Sequence, residues 1–115
     1  MFVDDATRLR HMRDAAAEAV RFVQGKTRAD LDKDRQLVLA LVKCIEIVGE
    51  AASGVSAALR ERHPDVPWRA IVAMRNRLIH GYYEIDLDRV WDTATSNLPP
   101  LLETLERMLE RQAGS

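Results

Sequence analysis

Leu37-Val38-Leu39-Ala40-Leu41-Val42-Lys43-Cys44-Ile45-Glu46-Ile47-Val48 holds only two polar side chains, Lys43 and Glu46. It lies within a run from Asp34 to about Arg62. There Leu37, Leu41, Ile45, Val48, Ala52, Val55 and Leu59 recur every three or four residues, the period of an α-helix. Asp34 is suited to cap that helix. A helix apolar nearly all round is buried on more than one side. A chain of 115 residues builds one modest core. The second partner for this helix is therefore expected to be another copy of the protein, in a homodimer. Enclosure by the chain's own neighbouring helices is the alternative.

Working outward, Asp4 or Asp5 can cap a first helix with Leu9, Met12, Ala16, Ala19, Val20 and Val23 on one face. Gly25 is placed to end it. Thr27 can cap a single turn that holds Leu31. Downstream, His63-Pro64-Asp65-Val66-Pro67 interrupts the helical period, and Pro67 suits the first position of a new helix running to about His80. Glu84-Ile85-Asp86 reads as a turn, with Asp86 capping a last helix that carries Val90, Trp91, Ala94, Leu98, Leu101, Leu102, Leu105 and Met108. Pro99-Pro100 should kink or split that helix. The expectation is an all-α, antiparallel bundle of about four to five helices. It forms one domain over residues 1–115, with 112–115 a flexible tail.

Apolar residues make up 47% of the chain and aromatics 5%, which suits an aliphatic helical core. The formal net charge is -1, so any nucleic-acid site must be a local patch. The lone Cys44 sits in the apolar run and reads as a core residue in a reducing compartment. No signal peptide, membrane-length apolar run or lipidation motif is present, so a cytoplasmic protein is expected. His11 and His63 have no second ligand at metal spacing, and neither a phosphate loop nor a nucleophile elbow occurs. No metal or other cofactor is expected.

The chemistry gathers at Met74-Arg75-Asn76-Arg77-Leu78-Ile79-His80-Gly81-Tyr82-Tyr83. Arg75 falls in the apolar stripe formed by Trp68, Ile71, Val72, Leu78 and Ile79. On a buried seam it must meet a carboxylate, a carbonyl or a phosphate, because an unpaired buried charge is costly. Glu46 and Glu50 share a face of the long helix. Either they form a solvated stripe or one of them holds Arg75. On a continuous helix Arg75 and His80 would point about 140° apart. Either the helix loosens at His80, or a two-fold mate completes the site with paired arginines and histidines. Such a groove could act on RNA without metal. One histidine takes the 2′-hydroxyl proton, another protonates the leaving 5′-oxygen, and arginine stabilises the phosphorane.

Arg75-Asn76-x-x-x-His80, preceded by Pro67-Trp68 and followed by Tyr82-Tyr83, resembles the HEPN ribonuclease superfamily, and most of all its HepT-like toxins. Ile47-Val48-Gly49-Glu50-Ala51, Asp88-Arg89-Val90-Trp91 and Leu98-Pro99 extend the likeness along nearly the whole chain. The resemblance implies a homodimeric HEPN bundle and the toxin of a type VII-like toxin–antitoxin system. It implies a metal-independent endoribonuclease with catalytic Arg75 and His80 at the dimer interface, supported by Asn76, Arg77 and Glu50. It further implies an MNT-type nucleotidyltransferase antitoxin that adds AMP to Tyr82 of the His80-Gly81-Tyr82 extension, Tyr83 being the weaker candidate. The alternative function is a non-catalytic helical module that binds a nucleotidyltransferase and its nucleotide.

Overall fold

Helix α1, Asp5–Val23, begins where the Asp4 carboxylate accepts the Thr7 N–H at 2.8 Å, and it stops at Gln24 before Gly25 (φ 74°). The computed structural model to which it belongs describes residues 3–80 and 84–114, without the side chains of 112–114. Helix α2 is the single turn Asp30–Lys33. Its capping runs opposite to the sequence expectation: the Asp30 carboxylate reaches back and accepts the Thr27 N–H at 2.7 Å. Leu31 is buried there.

Helix α3, Arg35–Ser53, is capped by Asp34, which accepts the Leu37 N–H at 3.0 Å. It ends nine residues short of the expected Arg62, and α4, Ala57–Arg62, follows as a separate helix. Two contacts from α1 are made at the break. The guanidinium of Arg8 occupies the space that a Cβ at Gly54 would need. The Asp5 carboxylate takes the Ser56 N–H at 2.9 Å and its hydroxyl at 2.6 Å, while the Ser56 Oγ caps α4 by accepting the Leu59 N–H. Those bonds hold the Asp5 carboxyl below its ordinary pKa, the Ser56 hydroxyl contributing most.

Helix α5, Trp68–Leu78, starts after Pro67 and ends two residues earlier than expected. Ile79–His80 (β1) pairs antiparallel with Glu84–Ile85 (β2), Ile79 opposite Ile85 and His80 opposite Glu84. The expected helical end and turn are thus a two-residue ladder, closed by the Asp86 N–H donating to the Leu78 carbonyl at 2.7 Å. Ile79 and Ile85 are β-branched, favour this geometry and pack against the core.

Asp86 caps α6, Leu87–Asp92, which continues through a π turn, Thr93–Asn97, into α7, Leu98–Gly114. The deformation therefore precedes Pro99-Pro100. The two prolines cannot donate to the carbonyls a turn behind them. The chain widens instead, and the Leu98 N–H bonds to the Thr93 carbonyl, five residues back. Both prolines then lie in the first turn of α7, where their missing N–H groups cost little.

The architecture is all-α apart from the small ladder. Helix α1 packs against α3 and α7, and α3 against α5. Leu9, Met12, Leu41, Ile45, Val48, Ile71, Leu98 and Leu105 are fully enclosed. One chain also encloses most of the run from Leu37 to Val48, leaving Leu39 at 49% exposure. The premise that this helix has surplus apolar surface therefore fails, because α1, α5 and α6 cover it from several sides within one chain. Among the described residues no helix is long and apolar enough to cross a membrane.

Candidate functional site

The site is built on the crossing of α3 and α5. At Gly49 the helices approach so closely that an added Cβ would lie 3.3 Å from the Ile71 carbonyl oxygen and 3.4 Å from that of Val72. Beyond a crossing, helix axes diverge. Arg75 sits one turn past Ile71, at the open end, and Glu50 follows Gly49 on the facing helix. Arg75 Nη1 donates to Glu50 Oε1 at 3.0 Å. The side chains are 48% and 65% exposed, so Arg75 is not on the buried seam where its spacing put it. The seam consists of Trp68, Ile71 and Leu78. The divergence of the helices puts residue 75 in solvent. An ion pair this exposed contributes about 1 kcal/mol at most. Its role is to aim the guanidinium, whose remaining N–H groups make no hydrogen bond among the described residues and can meet an anion. Glu46 pairs instead with Lys43 at 3.5 Å, which settles which glutamate holds Arg75.

His80 stands on β1, where backbone direction alternates and the helical angle no longer applies. Its ring Nε2 lies 3.4 Å from Asp86 Oδ2. Asp86 is two residues beyond Glu84, the ladder partner of His80, so the two side chains are diagonal neighbours on one face. Asp86 is itself anchored: Oδ1 accepts the Arg89 N–H at 3.1 Å. That bond first, and His80 second, hold its carboxyl below the ordinary value. A carboxylate at Nε2 favours the proton there and leaves Nδ1 as the free base. The His80 side chain is 65% exposed, so the ring is open to solvent and to a substrate. Sequence reading saw Asp86 only as a cap. The ladder register exposes its second role, and the pattern Ile79-His80 … Glu84-Ile85 was the available signal.

The other expected residues disperse around α5. Asn76 faces a shallow depression with Ser53, Arg60 and Arg69. Arg77 lines a different cavity, of about 550 Å³, with Asp86 and Arg89. Steps of about 100° per residue send neighbours to different sides. The structure thus joins Arg75 to Glu50 and His80 to Asp86, with no hydrogen bond or ion pair between the two pairs among the described residues. Tyr82 and Tyr83 lie outside the described residues. Among the described residues no three His, Cys, Asp or Glu side chains gather at metal-binding distance. Cys44 is buried, and burial pushes its thiol pKa up.

Residues 12–108 match the family model for HepT-like ribonucleases. A protein of Caldanaerobacter subterraneus subsp. tengcongensis with a provisional RNase name is 32% identical over 90% of this chain and 93% of its own length. A Thermococcus cleftensis protein, provisionally named ribonuclease HepT, is 31% identical over 80% of this chain and 87% of its own. A provisionally named RNase of Methanocaldococcus jannaschii is 27% identical over 84% of this chain and 80% of its own. No solved structure matches.

Proposed function

The chain belongs to the HepT-like ribonuclease family, and from that premise we propose that it is a metal-independent endoribonuclease acting through Arg75 and His80. The observation that carries the reading is the pair of oriented groups at one helix end. Glu50 aims Arg75, and Asp86 aims His80. His80 Nδ1 takes the proton from a ribose 2′-hydroxyl, and the 2′-oxygen forms a bond to the adjacent phosphorus. The bond from phosphorus to the 5′-oxygen breaks, that oxygen receives a proton, and a 2′,3′-cyclic phosphate remains. Arg75 binds the non-bridging oxygens, whose charge grows in the transition state.

One His80 ring cannot reach both the attacking 2′-oxygen and the leaving 5′-oxygen, which lie in line on opposite sides of the phosphorus. A second copy supplies the other histidine, so the working site is a composite cleft in a two-fold homodimer. The exposure of both pairs in a single chain supports this, since both remain open to a second copy. Sedimentation at micromolar concentration is expected to show a dimer, and a monomer would refute the composite site. The cleavage test is RNA with purified protein in EDTA. Cleavage is expected, and it should vanish in His80→Ala. Cleavage that requires Mg²⁺, or survives His80→Ala, would refute the mechanism.

In the cell this activity makes the chain a toxin, restrained by an MNT-type nucleotidyltransferase that adds AMP to Tyr82. An adenylyl group two residues past His80 brings a phosphate charge that competes with RNA for Arg75 and Arg77, and a bulk that blocks the cleft. Peptide mass spectrometry after incubation with that enzyme and ATP is expected to find the added mass on Tyr82. An unmodified Tyr82, or a modified protein that still cleaves RNA, would overturn this control.

A further inference from the structure

The cavity of about 550 Å³ between α5, α6 and the π turn lies beside His80 yet has no part in the cleavage step described above. Its volume falls in the range of ordinary small-ligand sites, about 300–1,000 Å³. Ala70, Met74 and Arg77 of α5 form one wall; Arg89 and Asp92 of α6, with Asn97 of the π turn, form the other. Asp86 sits at the junction. It lines the cavity and also faces His80, so whatever fills the cavity lies against the carboxylate that orients His80.

The charges inside resolve into a simple set. Asp88 is held by Arg28 at 2.6 Å, and Asp86 is occupied by His80 and the Arg89 N–H. Among the described residues Arg77, Arg89 and Asp92 make no ion pair. Two guanidinium groups and one carboxylate remain for a ligand. Guanidinium groups match phosphate oxygens. A carboxylate would repel a bare phosphate, and being acceptor-only it can meet only a group that offers N–H or O–H donors. A ligand that is anionic at one end and carries donors at the other satisfies both. Met74 and Ala70 add an apolar wall. A second depression of about 300 Å³ shares Ala70, Met74 and Asn97 and continues to Pro100 and Leu101. The groove is therefore charged beside Asp86 and more apolar further off, where Asp65, Ser96 and Thr104 are the polar members besides Asn97, the same order as phosphate and base in a nucleotide. The π turn, at a position where such turns often mark function, sets Asn97 at the meeting of the two depressions.

We propose that this groove is a nucleotide subsite. It holds the nucleoside flanking the scissile phosphate of a single RNA strand, with Arg77 and Arg89 on the phosphate and Asp92 accepting from an exocyclic amino group of the base. Adenine, cytosine and guanine carry such a group, and uracil does not. The proposal rests on the ribonuclease reading and extends it to base preference.

The experiment uses short oligoribonucleotides with each base placed on either side of one cleavable linkage. A parallel set with the cleavable 2′-hydroxyl methylated measures binding alone. The wild-type protein is expected to disfavour uridine about tenfold or more at one flanking position. Asp92→Asn should erase that discrimination. Arg89→Ala should raise KM about tenfold for all bases alike and leave the preference unchanged, as loss of a phosphate contact does. Both side chains are exposed, and circular dichroism checks that each variant is folded. Cleavage unaltered in both variants would overturn the subsite and leave the ribonuclease reading standing. Asp92-dependent base preference in binding, without any cleavage, would uphold the subsite and overturn the ribonuclease reading. Unaltered RNA binding alongside lost affinity for a nucleotidyltransferase would overturn the subsite and assign the groove to protein docking.

Discussion

Gly49→Ala tests whether the α3–α5 crossing sets the position of Arg75. Alanine in place of glycine inside a helix normally stabilises by about 1 kcal/mol. Here the new methyl would lie 3.3 Å and 3.4 Å from two backbone carbonyl oxygens of α5. Backbone cannot rotate away as a side chain can, so α5 must retreat by a few tenths of an ångström. Overpacking of this kind costs about 1–3 kcal/mol. The net expectation is a loss of up to about 2 kcal/mol, which for a domain of this size lowers Tm by up to about 10 °C. Glu50 stays on α3 while Arg75 retreats with α5, so their 3.0 Å contact lengthens. A misplacement of about 1 Å can cost about a hundredfold in rate, so a few tenths of an ångström should cost about threefold to fivefold. Urea unfolding followed by circular dichroism gives the stability, and cleavage of a fluorescent RNA gives the rate. A Gly49→Ala protein stabilised by about 1 kcal/mol and fully active would refute the reasoning, since it would mean the crossing is loose.

Arg75→Ala, Arg75→Lys and His80→Ala should each remove cleavage while shifting Tm by less than a few degrees, because both side chains are largely exposed and the Glu50 pair contributes little. Unfolding of any of them by thermal melt would refute that assignment. Asp86→Asn keeps an oxygen for the Arg89 N–H and so keeps the cap. It loses the charge facing His80, and kcat should fall about tenfold to a hundredfold, part of what acid–base catalysis supplies; an unchanged kcat refutes the orienting role. In acid, the folded-state pKa values of Asp4, Asp5, Asp30 and Asp86 lie below the ordinary aspartate value of 3.8. Their contribution is complete above that value and is lost as pH falls through the lower folded values. Stability measured by urea midpoint should therefore decline below about pH 4, and Asp5→Asn should flatten the decline. Cys44, buried with a raised pKa, should resist thiol reagents in the native protein at neutral pH and react on unfolding.

The helical class, the caps at Asp34 and Asp86, a first cap at Asp4 or Asp5, the stop at Gly25 and the core stripes were legible in the sequence. Each depends on chemistry within one or two turns, where side-chain spacing and backbone period are enough. The pairing of Glu50 with Arg75 was legible only as one of two choices, because Glu46 and Glu50 share a helix face and the crossing at Gly49 decides between them. Three features were decided by contacts between distant segments. The restart of the helix after Gly54 is held by Asp5, about fifty residues earlier in the chain, through Ser56, the cap of α4. Periodicity put Arg75 in the seam, but periodicity records angle around a helix and not distance along it. Past the crossing, the same angle faces water. Asp86 reaches His80 through the register of two short strands, a relation that no spacing along one strand contains. Local rules choose the elements, and the functional side chains acquire their partners only where those elements cross, diverge or pair.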